Sequence, residues 1–571
     1  MKPKTNTRDL TRAFFKGNIG NIILGLLSTV LLTVASLVIS YLMQAIIDLC
    51  AGIDVGMDIG MIIIVFLISL GVFALSYVCA YWSKPRFAAK AIKQYKDLVF
   101  EKLTQKGVSA FSNENTASYI SVLSNDCASI EKGYLVSVFT IIESIALLVG
   151  ALALMLYYSP LLTLVSVLTS LLPLIAAILT GNMVAKAEKD TSDKNEQYIS
   201  TLKDCLVGFS VVKAFKAEKQ LIRLFKEKTK GVGNSQTKRD KLKIIVEMIS
   251  AGAGLVVQFG IFIFGAYLAI NGEGISPGIV IVFVQLLNYV LNPLGVIPQA
   301  IAEIKASKEL IKKTQKLLSK NVRDEGKKID KTLKEGILVR DLSFTVDEDK
   351  RILDSISFDF LPGKSYAVIG ASGSGKSTLL NLLMAGNDTY TGSVIYDSIE
   401  AREISPDSLY DMVSLIQQNV FVFNGTLRDN VTMFQSVPDE EFERAIRLSG
   451  LSELVAQRGE DYICGENGSQ LSGGEKQRIA IARSLLRCSN VLLVDEATAA
   501  LDPATALNVS SAILDLDGIT KIVVTHSLER SVLERYDCIL TLKNGRLEES
   551  GSFEALMEKR GYFYSLFTVS Q

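Results

Sequence analysis

The chain has 571 residues, of which 49% are hydrophobic and 21% are charged, and its mean hydropathy is positive. This composition excludes an ordinary soluble protein of this length and indicates a membrane region. The 60 Lys and Arg residues balance the 60 Asp and Glu residues, so the overall charge does not favour a nucleic-acid partner.

Five long uncharged stretches in the first part of the chain predict membrane-spanning helices. About 20 apolar residues in a helix cross the hydrocarbon core, where lipid offers the backbone no hydrogen-bond partners. The third stretch is long enough for two spans, and the YYSP segment at 157–160 predicts a turn between them. We therefore predict an all-α transmembrane domain of six helices over residues 1–305. The stretches are 22–47, 59–83, 144–185, 248–271 and 274–302.

The charge of the connections predicts how these helices are oriented. The N-terminal arm and the segments 84–132 and 186–243 are rich in Lys and Arg, whereas the connections at 48–58, 157–160 and 271–277 contain neither residue. Basic connections remain on the cytoplasmic side. We therefore expect a multi-pass protein of a bacterial plasma membrane, with both termini, and the domain that follows the helices, in the cytoplasm.

The two long basic connections have a helix-forming composition with few Pro or Gly clusters. Structureless loops of such length are uncommon. We predict that they extend the membrane helices into the cytoplasm and turn near 111–119 and near 208–210. A charged linker is predicted at 306–335, followed by an α/β domain over residues 336–571.

A phosphate-binding loop is predicted at 370–377, where the sequence GASGSGKS follows an apolar run and precedes a helical pattern. Glycines let the backbone N–H groups of such a loop face the phosphates of ATP. Lys376 is predicted to reach the β and γ phosphates, and Ser377 to bind Mg²⁺. The predicted nucleotide-binding residues of this loop are Gly370, Ser372, Gly373, Gly375, Lys376, Ser377 and Thr378.

Two carboxylates follow the apolar run at 491–494. Asp495 is predicted to hold Mg²⁺, and Glu496 to orient and deprotonate the attacking water. Together with the phosphate loop, this pair predicts a P-loop ATPase.

Between these two motifs the sequence LSGGEKQR at 471–478 resembles the signature of the ATP-binding-cassette transporter superfamily. In that family the signature opens a helix and closes over the ATP held by the opposite subunit. The resemblance therefore implies that Ser472, Gly473 and Gly474 contact nucleotide and that a functional unit has two ATPase domains.

The resemblance implies roles for three further residues. Gln418 resembles the glutamine that senses Mg²⁺ and water, so it is both a catalytic and a metal-binding candidate. Asp502 resembles the loop that communicates across the dimer, and His526 resembles the switch residue that contacts the γ phosphate. His526 is also the single histidine of the chain.

The segments GENGSQ at 465–470 and VKAF at 212–215 resemble those of exporters, which implies a half-transporter. A homodimer is the preferred assembly, because one chain carries all the ATPase motifs. A heterodimer with a second half-transporter is the alternative. Val346 stands where exporters usually have an aromatic residue that stacks on adenine, although the nearby Phe344 is a possible substitute, and Ala499 replaces a common serine.

The cargo is only broadly specified by the sequence. A sparsely charged bundle favours an amphipathic or hydrophobic cargo such as a drug, lipid or peptide. Glu143 either marks a cargo site or pairs with a neighbouring helix. The amides of Gln285, Asn288 and Asn292 share one face of the sixth helix and either line the pathway or bond between helices. An ATP-gated channel or membrane sensor stays open as an alternative, whereas the predicted spans disfavour a soluble ATP-binding-cassette protein.

Overall fold

The structure, a computed structural model, describes residues 7–106, 116–319, 326–346, 350–385, 389–496 and 501–570. Clustering of contacts divides the chain into two compact units. The helical unit contains Thr5–Lys102 and Ala117–Leu318, and the second unit consists mainly of Ser319–Gln571. The predicted fold class, a helical transmembrane domain followed by an α/β domain, is confirmed.

The helical unit is built from very long helices. Its elements are α1 (Thr7–Ala13), α2 (Ile19–Cys50), α3 (Ile59–Thr104), α4 (Thr116–Ser121), α5 (Cys127–Ile130), α6 (Ser137–Tyr158), α7 (Pro160–Val207), α8 (Phe209–Ala214), α9 (Glu218–Ile270) and α10 (Pro277–Ser319). Two π-helical turns, Val122–Asp126 and Glu131–Val136, join α4, α5 and α6 into one continuous rod.

Five of these rods are long and apolar enough to cross a membrane: α2, α3, the rod that ends in α6, α9 and α10. The described apolar part of α7, Pro160–Pro173, is shorter. The predicted turn at 157–160 is confirmed, because Ser159 ends α6 and its hydroxyl accepts a hydrogen bond from the first turn of α7. Large apolar side chains of α3 are exposed, as a lipid-facing helix requires.

The predicted extensions of the membrane helices are helical where the structure describes them. Helix α3 continues to Thr104 and α7 to Val207, and Gly208 ends α7 before the short α8, close to the predicted turn. The other predicted turn, at 111–119, lies largely outside the described residues. One predicted boundary is wrong, because Asp48 was assigned to a connection, whereas α2 continues to Cys50 and includes it.

The second unit contains two sheets. The first has the order β2-β1-β4-β5 and the second the order β10-β9-β3-β8-β7-β6, in which β9, β3, β8, β7 and β6 run parallel. The strands are β1 (Ile337–Val346), β2 (Lys350–Phe360), β3 (Ser365–Gly370), β4 (Thr391–Tyr396), β5 (Ile399–Glu400), β6 (Val413–Ile416), β7 (Val491–Asp495), β8 (Thr520–Val524), β9 (Cys538–Lys543) and β10 (Arg546–Gly551).

Helices surround these sheets. They are α11 (Lys376–Leu383), α12 (Pro406–Met412), α13 (Leu427–Thr432), α14 (Asp439–Leu448), α15 (Ser452–Arg458), α16 (Gly473–Arg487), α17 (Pro503–Leu514), α18 (Arg530–Leu533), α19 (Phe553–Lys559) and α20 (Tyr562–Ser570).

The parallel strands β3, β7 and β8 are apolar and buried, as expected for a sheet covered on both faces. Helices α13 to α16 pack around a hydrophobic cluster of their own, separate from the clusters on the sheet. The carboxyl ends of β3, β8, β7 and β6 lie side by side, which is where open α/β sheets bind ligands.

Candidate functional site

The phosphate loop leaves the carboxyl end of β3 and enters α11. Gly375, directly before the helix, has φ +99°, and a Cβ there would lie 2.5 Å from Leu353 Cδ2 and 3.0 Å from the carbonyl oxygen of Ile352. Only glycine fits this position without strain. Ser372 and Gly373 are exposed on the loop, whereas Thr378 is half-buried in the first turn of α11.

Lys376 lies inside this loop and is only 5% exposed. Its Nζ donates hydrogen bonds to the carbonyl oxygens of Gly370, at 2.9 Å, and Ala371, at 3.1 Å. Burial lowers the pKa of the Lys376 ammonium, and the nearby carboxylates of Glu496 and Asp495 partly oppose that shift. The ammonium is therefore held at the loop by carbonyl groups, which a phosphate could replace as partners.

Ser377 and Asp495 form the predicted metal-binding pair. The Ser377 hydroxyl donates to Asp495 Oδ1 at 3.0 Å, which joins the start of α11 to the end of β7. Burial raises the pKa of Asp495, and the hydrogen bond from Ser377 opposes this shift. A hydroxyl and a carboxylate are hard oxygen ligands, and Mg²⁺ commonly takes one or two of these together with substrate phosphates. The donor set therefore fits Mg²⁺.

The three predicted catalytic side chains meet at Glu496. Gln418 Nε2 donates to Glu496 Oε2 at 2.7 Å, and His526 Nε2 lies 2.7 Å from Glu496 Oε1. The three residues follow β6, β7 and β8, which are neighbours in the sheet. Glu496 has φ +50°, and its N–H donates to the carbonyl oxygen of Val524 at 3.1 Å, which fixes the turn. Both carboxylate oxygens of the proposed base are thus engaged.

The signature segment occupies the N-terminus of α16. The Ser472 hydroxyl accepts a hydrogen bond from the N–H of Glu475 at 3.2 Å, while Glu475 Oε2 accepts from the N–H of Ser472 at 2.6 Å. This capping box leaves Ser472 and Gly473 exposed. Within the described part of the chain, no hydrogen bond joins Ser472, Gly473 or Gly474 to the phosphate loop, so the fold of one chain does not bring the two motifs together.

Asp502 caps the N-terminus of α17. Its side chain accepts a hydrogen bond from the N–H of Thr505 at 3.0 Å, which lowers the pKa of Asp502. Asp502 is exposed, and Ala499, just before it, lies outside the described residues.

Arg483 is a positioning residue that our sequence analysis missed. Its guanidinium donates to the carbonyl oxygens of Phe421 at 2.7 Å and Asn430 at 2.6 Å, and also to the side chain of Asn430 at 2.9 Å. It thereby ties the segment that follows Gln418 to α13 and α16. The only sequence signal is a basic residue within the largely apolar run IAIARSLL of α16.

The adenine-stacking position contains no aromatic ring. Val346 ends β1 and is 39% exposed, whereas Phe344 is 9% exposed and belongs to the hydrophobic cluster of the sheets. Phe344 therefore does not offer a free ring face, and our suggestion that it substitutes for the missing aromatic residue is not supported.

Two of the four polar candidates in the membrane helices, Glu143 and Asn288, have described partners on neighbouring helices. Glu143 pairs with Lys84 of α3, with 3.0 Å between Oε2 and Nζ. Asn288 Oδ1 accepts from Gln258 Nε2 of α9 at 2.8 Å. The side-chain oxygen of Gln285 is buried without a described partner, and Asn292 is exposed. Helix α10 continues through both of its internal prolines, Pro293 and Pro298.

Comparison with known proteins identifies two family matches in the chain. The description "ABC transporter transmembrane region" matches residues 22–294, and "ABC transporter" matches residues 353–499. An ATP-dependent lipid A-core flippase of Vibrio vulnificus is 28% identical over 89% of this chain and 87% of its own length. An uncharacterised ABC transporter ATP-binding protein of Bacillus subtilis is 28% identical over 82% of this chain and 78% of its own length.

The fold has a close counterpart among solved structures. A bacterial Atm1-family ABC exporter with ATP bound superimposes with a TM-score of 0.83 and covers 97% of this chain and 98% of its own, at 21% sequence identity. The overall order of helices and sheets is therefore shared.

Proposed function

The chain belongs to the ABC transporters as an exporter-type half-transporter, and on this basis we propose that it moves an amphipathic or hydrophobic cargo out of the cytoplasm. Its ATPase activity is coupled to transport, as in the family. The observation that carries the proposal is the cluster of Gln418, Glu496 and His526 beside the phosphate loop, in a chain that also supplies membrane-spanning helices.

We assign the chemical steps as follows. Lys376 and the N–H groups of the phosphate loop hold the β and γ phosphates of ATP. Glu496 accepts the proton of the attacking water, and Gln418 and His526 orient the carboxylate and the γ phosphate. Because both oxygens of Glu496 are engaged in the structure described here, one of these two contacts has to open before a water can be activated.

The residues that would hold Mg²⁺ are Ser377, Asp495 and Gln418. When bound, the ion would neutralise negative charge on the phosphates while the γ-phosphoryl group is transferred to water. The hydrogen bond between Ser377 and Asp495 keeps the two proposed ligands within reach of one ion. The Ser377 hydroxyl would keep its proton and offer an oxygen lone pair to the ion, while the Asp495 carboxylate would supply negative charge.

Two copies are needed for a complete nucleotide site in this proposal. The signature lies at the start of α16, where Ser472 and Gly473 are exposed and Gly474 is half-buried. None of the three has a described hydrogen bond to the phosphate loop of its own chain. An exposed helix N-terminus with a free glycine backbone is suited to bind phosphate presented by another subunit. We favour a homodimer, since one chain provides every motif, and we place the ATPase domains and both termini in the cytoplasm of a bacterial cell.

The cargo class rests on the membrane helices. The spans are sparsely charged, and the charge of Glu143 is paired with Lys84, so few charges remain to attract an ionic cargo. The Vibrio vulnificus relative is a lipid A-core flippase, and this supports a lipid-like cargo for this chain.

The decisive experiment is the ATPase rate of the chain purified alone in lipid nanodiscs, beside its Glu496→Gln variant. We expect turnover in the parent, loss of turnover in the variant, and retained ATP binding in both. Glu440→Gln is a matched control, because it makes the same change at an exposed residue of α14 and leaves the proposed base intact. Normal hydrolysis in Glu496→Gln would refute the assignment of the base.

The heterodimer is the second candidate, and Val346 favours it because a site without adenine stacking is typical of one that depends on a stronger partner site. It predicts that the purified chain binds ATP but does not hydrolyse it until a second half-transporter is added. Mass measurement of the nanodisc particle by light scattering separates a homodimer from a monomer.

A further inference from the structure

A buried carboxylate joins the ends of two membrane helices. Asp48, two residues before the end of α2, is 1% exposed. Its Oδ2 accepts from the hydroxyl of Ser276 at 2.6 Å, and its Oδ1 accepts from the N–H of Gly278 at 2.8 Å. Gln44, one turn earlier on α2, also donates to Oδ2. These partners are all donors, as an ionised carboxylate requires.

The junction is tight as well as polar. A Cβ at Gly278 would lie 2.5 Å from the carbonyl oxygen of Gln44 and 2.6 Å from Asp48 Oδ1, so the two backbones approach as closely as glycine permits. Gly278 lies in the first turn of the 43-residue helix α10, where the helix dipole favours a negative charge. Asp48 is therefore an N-terminal cap supplied to α10 by another helix.

A third helix joins the same group. The hydroxyl of Tyr158, the last residue of α6, donates to Gln44 Oε1 at 3.0 Å. We call Gln44, Asp48, Tyr158, Ser276 and Gly278 the Asp48 clasp. It connects the ends of α2, α6 and α10 on the side of the bundle whose connections lack Lys and Arg.

Breaking the clasp costs less free energy than breaking the hydrogen bonds of a polar group in the middle of the membrane would. Asp48 is next to the exposed residues 50–54. When the helices separate, the carboxylate and its donors would therefore each form hydrogen bonds with water instead of with one another. An apolar cluster that includes Met155, Val282 and Phe283 is buried among the same helices. A pathway that opened between α2, α6 and α10 at this end would have to part them.

We propose that Asp48 is a positioning residue for transport: the Asp48 clasp holds this end of the bundle closed, and its hydrogen bonds break when the pathway opens there. The inference rests on the proposed function, since it assumes that ATP drives such an opening. It assigns to Asp48 a role in access, whereas Glu496 and its neighbours act in hydrolysis.

The test uses a reporter cysteine at Val282, which is fully buried on α10 one turn after Gly278. In a background without the seven native cysteines, a membrane-impermeant maleimide is added to the chain in nanodiscs without nucleotide. We expect slow labelling in the parent and a rate about tenfold higher in Asp48→Ala, equivalent to a shift of about 1.4 kcal/mol in the opening equilibrium. Asp54→Ala is the matched control, an exposed carboxylate after the same helix, and should label like the parent.

Ser276→Ala removes one donor and keeps the carboxylate, so it provides a milder variant if Asp48→Ala fails to fold. We expect it to raise labelling less than Asp48→Ala does, with the thermal unfolding midpoint and ATP binding of the parent. The proposal would be overturned if both variants were labelled at the rate of the parent. It would also be overturned if faster labelling appeared only in variants that no longer show a thermal unfolding transition, because that labelling would report unfolding. Failure of the proposed function would look different: ATP would not change labelling of the parent, yet the effect of Asp48→Ala would persist.

Discussion

The absence of an aromatic ring at the end of β1 gives a prediction that can be worked from the structure. Strand β1 leaves the core after Phe344, so that Thr345 and Val346 are exposed, and Val346 pairs with Lys350 at the edge of the sheet. A tyrosine at position 346 would thus present its ring to solvent without displacing core atoms. We predict that Val346→Tyr tightens ATP binding.

The magnitude follows from the stacking energy of an aromatic ring on a base, about 1–3 kcal/mol. Because the methyl groups of a valine can also contact a base, we take about 1–2 kcal/mol as the gain, which corresponds to a dissociation constant about 5- to 30-fold lower. The affinity for tripolyphosphate, which has no base, should stay unchanged, because only the base gains a contact.

Calorimetric titration with ATP and Mg²⁺ in the Glu496→Gln background measures this affinity without hydrolysis. Val346→Leu is the matched control, since it adds apolar volume without a π-face. Phe344→Leu should lower the thermal unfolding midpoint and leave the affinity unchanged, because that ring lies in the core. Equal affinities for Val346→Tyr and Val346→Leu would refute the stacking argument, and weaker ATP binding in Phe344→Leu would show that this ring contacts the base after all.

Three further predictions concern the nucleotide site. Gly375→Ala should abolish ATP binding in a titration, because a Cβ would lie 2.5 Å from Leu353 Cδ2 at a residue with φ +99°; parental affinity would contradict this. Burial lowers the pKa of Lys376, so ATP affinity in Glu496→Gln should fall as the pH rises through that lowered pKa, and Lys376→Ala should lose this dependence. Burial raises the pKa of Asp495, so Mg²⁺-dependent ATP binding should weaken as the pH falls through that raised pKa, and Asp495→Asn should be weak at every pH tested.

The grouping of the catalytic side chains is the part of the site that sequence predicts best. Gln418, Glu496 and His526 each follow a short, largely apolar strand, and such runs become buried parallel strands whose carboxyl ends meet at one edge. The pairing of both Glu496 oxygens was not predictable, because it depends on the φ +50° turn that aims the carboxylate between two loops.

The place of Phe344 was not predictable for a related reason. Residues of a regular strand alternate between faces, but β1 carries register shifts around Leu342 and Phe344. A shift of one residue exchanges the buried and exposed faces, so the sequence gives no means of deciding which of Phe344 and Val346 reaches the nucleotide.

Charged residues in the membrane helices show most clearly what the sequence lacks. By position alone, Glu143 was the candidate for function and Asp48 marked the end of a span. In the structure Glu143 has a cation, Lys84, 59 residues earlier, and an ion pair between neighbouring helices is sufficient reason for its presence. Among the described residues Asp48 has only neutral donors, two of them more than 220 residues away, at Ser276 just before α10 and at Gly278 in its first turn.

That difference in partners reverses the functional ranking of the two acids. When two helices part, an ion pair between them, such as Glu143 with Lys84, loses the strong attraction between its two charges. Such a pair therefore favours a contact between the helices that stays fixed. A carboxylate held by a hydroxyl, an amide and a backbone N–H near a helix end can exchange each of them for water, so the same contact can close and open repeatedly. Asp48 is therefore the acid on which a search for transport mutants should begin, and Glu143→Gln is the comparison that should slow transport only as far as it destabilises the bundle.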